Sequence, residues 1–143
     1  MTIQALILGA VLVAGPVGQE PTACELVDGT SAETVLGSDW SNPGGASTPG
    51  ACRYDNAEGN LVMMVQILGS VMYDAVPINP ATPVDIGDRG RYGVGSSGSA
   101  NVQFVRGEYS VTIRVTPISG PPASDLVDPL LEVARMAAER MAG

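Results

Sequence analysis

The chain has 143 residues, enough for one domain with a core of its own, and carries seven basic residues, all arginine, against fifteen acidic ones, for a net charge of -8. That balance argues against nucleic acid, and against an anionic membrane surface, since both are bound through cationic side chains. With no histidine and no lysine, the Ser-His-Asp, Cys-His and Ser-Lys sets of nucleophilic catalysis cannot be assembled, and zinc loses its usual imidazole ligands.

The chain opens with "MTIQALILGAVLVAGPVGQEPTAC", in which an apolar run over residues 5–14 is followed by Gly15-Pro16, a helix stop. Residues 1–21 read as a secretory signal or leader segment, although no Lys or Arg precedes the run and no clean cleavage site follows it. The alternative is a buried N-terminal strand or short core helix. A stable membrane span is not expected, because the run falls short of the roughly 20 apolar residues a bilayer requires. Lipid attachment at Cys24 would put Pro21 where a lipobox has an aliphatic residue and would leave Cys52 without a partner. Two cysteines outside a C-x-x-C spacing, in an exported chain, predict a Cys24–Cys52 disulfide and an extracytoplasmic location, secreted or at the cell envelope.

Residues 22–143 read as a single domain. "CELVDGTSAETVLGSDW" predicts a short helix, with Thr30 or Ser31 accepting from the first amides, Gly37 at its C-cap, and Val35 and Leu36 facing the core. "SNPGGASTPG" is turn-forming throughout and predicts a surface loop. Strands are expected over residues 51–54 and 61–68, joined by a polar turn. The second is apolar at both parities, which predicts a central strand covered on both sides, its Met63-Met64 pair serving as packing.

Pro77, Pro80 and Pro83 limit any element between residues 70 and 85 to a short one. "SANVQFVRGEYSVTIRVTP" alternates with period two on either side of Arg106-Gly107-Glu108, which predicts an antiparallel hairpin with one apolar and one polar face. In "DPLLEVARMAAERMAG", Leu126 just upstream, Leu130, Val133, Ala137 and Met141 recur at helical spacing, with Pro129 at the first helical position, so a final helix is expected against the sheet. The fold class is therefore α+β, an antiparallel sheet packed against a short N-terminal helix and a C-terminal helix.

Residues 93–98 contain a literal G-x-G-x-x-G. A dinucleotide loop needs a buried apolar strand before it, a helix starting at its third glycine and an acid about 20 residues further on. Here "VDIGDRGRY" precedes, Ser-Ala-Asn and a period-two strand follow, and "VTPISG" holds no acid. No helix N-terminus is available for a phosphate, so the glycines are expected to turn a hairpin and bind no nucleotide. Asp85 and Asp88 lack the surrounding ligands of a calcium loop and are expected at the surface.

The order "CELVDGTSAETVLG", "ACRYDN", "NLVMMVQIL" and "VDIGDRGRYGV", followed by a strand pair and a C-terminal helix, resembles a group of small actinobacterial secreted proteins and lipoproteins whose domains are PsbP-like α/β sandwiches related to LpqN-type lipoproteins. The likeness covers most of residues 22–143. The group's stretch is closer to "GLGDAAY", so Arg89 and Arg91 stand where it has small residues. The resemblance implies a non-catalytic domain of the cell envelope and brings no catalytic residues with it.

Function is expected to be that of an exported binding or accessory module with no cofactor and no metal, its partner an envelope protein or glycan. The candidate surface is the polar face of the second hairpin, with Arg114, Thr112 and Gln103 as its members and Arg114 as anchor for a carboxylate or carbonyl. The alternatives are a small-molecule carrier with an apolar pocket between sheet and helix and a hydrolase built on two carboxylates.

Overall fold

The computed structural model describes residues 21–43, 48–78, 80–95 and 98–142. The leader expected over residues 1–21 lies, but for Pro21, outside them, as does part of the expected loop after Trp40.

Two helical segments open the described chain. The first, α1, is a single turn over Ala23–Leu26 that the sequence reading did not anticipate. The second, α2 (Gly29–Leu36), is capped by neither Thr30 nor Ser31. Asp28 holds that position, its carboxylate accepting from the Ser31 amide at 3.0 Å, and Gly37 closes the other end in a left-handed conformation. Strand β1 (Ala51–Asp55) turns back into β2 (Leu61–Gly69) through a polar turn. In that turn the Asn56 side-chain oxygen accepts from the Asn60 and Leu61 amides at 2.9 and 3.0 Å.

A one-turn helix, α3 (Met72–Ala75), and a three-residue strand, β3 (Thr82–Val84), fill the proline-rich stretch. Strands β4 (Arg89–Val94), β5 (Ala100–Arg106) and β6 (Tyr109–Pro117) follow. A 3-10 turn at Ala123–Leu126 leads into α4 (Val127–Ala142), which begins two residues before Pro129.

The six strands form one antiparallel sheet in the order β1-β2-β6-β5-β4-β3. Its inner face carries Met63, Val65, Val102, Phe104, Val111, Ile113 and Val115, all fully buried. Against it lie Leu26, Val27, Val35 and Leu36 from the N-terminal helices and Leu130, Val133 and Ala137 from α4. The Arg140 guanidinium donates to the Leu26 carbonyl and the Ser31 hydroxyl at 2.7 and 2.8 Å, tying α4 to α1 and α2.

All three of these helices pack on one face, which corrects the expectation for β2. Met63 and Val65 point into the core, whereas Met64 is 46% exposed and Gln66 is exposed. The second face of β2 is apolar in sequence, yet among the described residues none of these three helices lies on it.

Candidate functional site

The Cys24 and Cys52 sulfurs are bonded, with Cα atoms 5.2 Å apart, so the disulfide fastens α1 to β1. Such a bond is the mark of an oxidising compartment. Among the described residues no helix is long and apolar enough to cross a membrane, and no group of three or more acids or cysteines could hold a metal ion.

Strand register sets the open face of the sheet. Pairing of Arg53 with Met64, Met64 with Arg114 and Arg114 with Asn101 makes one row across β1, β2, β6 and β5. The row beside it runs Gln66, Thr112, Gln103 and Arg91. Arg89, two residues before Arg91 on β4, shares the same face, since alternate residues of a strand point the same way. Four of the seven arginines, Arg53, Arg89, Arg91 and Arg114, thus stand on the open face of a chain whose net charge is -8.

Arg53 is paired with Asp55 at 2.9 Å and Arg89 with Asp74 at 3.1 Å. Each carboxylate, chiefly through its hydrogen bond, raises the guanidinium above its already high ordinary value. Arg114 and Arg91 have no carboxylate partner among the described residues. The Arg114 Nε donates to Asn101 Oδ1 at 2.8 Å, and the Asn101 amide in turn donates to the Ser99 carbonyl at 3.2 Å. The Nε bond orients the exposed guanidinium, and its two terminal nitrogens have no hydrogen-bond partner among the described residues.

The three residues singled out on the second hairpin do come together, in unequal circumstances. Thr112 and Gln103 are hydrogen-bonded across β5 and β6 at 3.2 Å, and Arg114 lies in the adjoining row, exposed. Gln103 is only 4% exposed, and Asn101 and Ser110 are buried too, so the polar face is not uniformly wet. A strap of residues 70–78, including α3, accounts for Gln103: its amide donates to the Val76 carbonyl at 3.0 Å.

Arg91 reaches the same strap, donating to the Tyr73 and Val76 carbonyls and to Gln103 Oε1, the last at 2.8 Å. The Tyr73 ring lies under both cations, 4.5 Å from the Arg89 guanidinium carbon and 3.9 Å from that of Arg91. Arg89, Arg91, Tyr73 and Asp74 escaped the sequence reading as members of a site. The alternation Arg-Gly-Arg, which places both cations on one face of a strand, was the signal that could have found the first two.

No family model matches this chain, and no curated protein or solved structure matches it either.

Of the cavities lined by the described residues, two bear on the carrier alternative. One of about 330 Å³ opens at the end of the sheet among Pro21, Gly50, Ile67, Leu68, Glu108 and Tyr109. The other, about 200 Å³, lies beside α4 and is lined by Asp85, Ile86, Arg106, Arg135 and Glu139. Both mix charged or polar groups with apolar ones, unlike the mostly apolar lining of a carrier pocket. Gly93, expected in the turn, lies inside β4 opposite Asn101, and the β4–β5 connection begins only after Val94; within it the Gly95 and Gly98 amides bond to the Ser99 and Gly95 carbonyls. The chain passes from strand to strand there, not from strand to helix.

Proposed function

We propose that this chain is an extracytoplasmic, non-catalytic binding domain that docks an acidic surface of a partner protein on the β1-β2-β6 part of its sheet, left open by the described residues, with Arg114 as anchor. The observation that carries the reading is Arg114 itself: an exposed guanidinium oriented by its hydrogen bond to Asn101, its terminal donors without a partner among the described residues, in a chain otherwise rich in acids. A pre-oriented guanidinium loses little freedom when it engages a carboxylate in fork geometry.

A protein suits the surface better than a glycan. Met64, half exposed, adjoins Arg114 and offers apolar contact. Sugar rings are usually held on exposed aromatic faces, whereas Trp40 is packed edge-on against Tyr54, with centroids 5.2 Å apart, and the Tyr73 ring is taken by two arginines. The disulfide supports the extracytoplasmic setting. Export by residues 1–21 and kinship with the PsbP-like envelope domains belong to the same proposal and rest on the sequence motifs.

Polyglutamate and polygalacturonate, immobilised at matched carboxylate density, separate the readings. An acidic chain should be repelled by both unless a local cationic patch prevails. Retention on polyglutamate at moderate ionic strength, weakened roughly tenfold by Arg114→Gln with an unchanged thermal midpoint, is the expected result. Retention on polygalacturonate alone would transfer the site to glycans. Equal retention of wild type and variant would remove Arg114 from the site.

A further inference from the structure

The strap over the other half of the open face is held in the way a bound peptide is held. Of its residues Tyr73 is buried, while Val71 and Val76 are 78% and 47% exposed. Its attachments are an aromatic face under two guanidinium groups, a carboxylate on Arg89, and two backbone carbonyls receiving Arg91 and Gln103. The floor is shaped for a passing main chain. At position 93, glycine leaves room where a Cβ would strike the Pro80 carbonyl oxygen and lie 2.9 Å from the Ile78 side chain. Arg91, meanwhile, has carbonyls and an amide for partners and, among the described residues, no carboxylate.

We infer that the Arg89–Arg91–Gln103 half of the face is a docking site for a short peptide segment of a partner protein, a single helical turn in which an aromatic residue is followed directly by an acidic one, and that residues 70–78, with α3, fill it as a tethered stand-in. A partner segment with a second carboxylate to meet Arg91 would make the strap's contacts and one more. Tethering gives the strap an effective concentration on the order of millimolar, so the internal segment excludes weak ligands and yields to those that satisfy Arg91. This deepens the reading of the open face as a protein-binding surface, and the two can fail separately because Arg114 makes no hydrogen bond or ion pair with the strap among the described residues.

The probe is a fluorescent synthetic peptide with the sequence of residues 70–78, SVMYDAVPI, and the site is vacated in the full chain by Tyr73→Ala with Asp74→Ala. The double variant should bind the probe at least about tenfold more tightly than wild type, which is filled from within. Adding Arg91→Gln, or replacing the probe's aspartate with asparagine, should abolish most of the binding, whereas Arg135→Gln, across the sheet on α4, should leave it unchanged. A folded double variant that ignores the probe, or that binds it regardless of Arg91→Gln, overturns the inference. So does a wild-type dimer formed by exchange of straps, which would make the occupant a second copy of this chain. Should the double variant not fold, amide exchange of wild type decides. The Tyr73 and Val76 amides should exchange faster than those of β5 and β6 and faster still with excess probe, and exchange at the rate of the central strands would refute a displaceable strap.

Discussion

Gly87 and Asp88 show why the "IGD" of the sequence is a structural bracket. Gly87 has φ 67°, and a Cβ there would stand 2.5 Å from the Val105 carbonyl oxygen. Asp88 donates its amide to that same oxygen at 2.6 Å and accepts from the Gly107 amide at 2.8 Å, so it closes the β5–β6 turn. Gly87→Ala should therefore cost at least about 2 kcal/mol in chemical denaturation, strain and collision together. Gly59→Ala, also at positive φ but in open space, should cost about 1 kcal/mol; equal losses would deny the bracket. Tyr54 makes a second, pH-dependent point. Its hydroxyl donates to the Val27 carbonyl at 2.8 Å, and burial, with the Asp28 charge second, raises its pKa above the ordinary 10. Since the folded value lies above the unfolded one, its contribution is complete below pH of about 10 and is lost as pH rises through the higher folded value. Tyr54→Phe should lose about 1 kcal/mol at neutral pH and show a shallower alkaline fall in thermal midpoint than wild type; parallel alkaline curves would count against it.

At the scale of elements, what could be read in advance is what local periodicity dictates. The β5–β6 hairpin follows from period two in "NVQFV" and "YSVTIRV", and α4 from the recurrence of Leu130, Val133 and Ala137, because in both the buried face repeats along the chain itself. The candidate surface was legible to the same extent: Arg114, Thr112 and Gln103 alternate with core residues, so their face was known, though not what lay on it. The strap was not legible. Its stretch has prolines and no period, and its hold on the sheet comes from Arg89, Arg91 and Gln103, which only strand register brings beneath Tyr73. The double-sided apolarity of β2 was misleading for a related reason, since Val62, Met64 and Leu68 look like core until the layer count is known. The disulfide joins two elements that local pattern leaves loose, the four-residue α1 and the edge strand β1. A single turn of helix does not hold itself together. Closing a separation of 28 residues is worth about 3.5 kcal/mol on the chain-entropy account. Cys24→Ser with Cys52→Ser should lower stability by that order, and amide exchange should rise first in α1; a loss spread evenly over the sheet would mean that the bond clamps no particular element.

For the molecule as a whole, the charge distribution makes an unusual demand on binding. A chain of net charge -8 repels an acidic partner at long range, while the open face, with Arg114 and Arg91 unmatched by carboxylates among the described residues, attracts it at contact. Salt acts on the two unequally, because screening removes interactions longer than the Debye length first: about 30 Å at 0.01 M, about 10 Å at 0.1 M and about 3 Å at 1 M. At the lowest ionic strength the whole acidic chain is felt and association is poor. Near the middle of that range the distant carboxylates are hidden and the local guanidinium is not. At the highest, both are gone. Binding to polyglutamate should therefore pass through a maximum near about 0.1 M salt, where a uniformly acidic surface would give only a weak, steady rise as repulsion is screened. Arg114→Gln should flatten the maximum. Arg135→Gln, on the far side of the sheet in α4, removes the same unit of charge and should preserve the maximum's position. Fluorescence anisotropy across an ionic-strength series reads all three curves. A maximum that survives Arg114→Gln, or that Arg135→Gln removes equally, would show that net charge governs the association and that the open face does not.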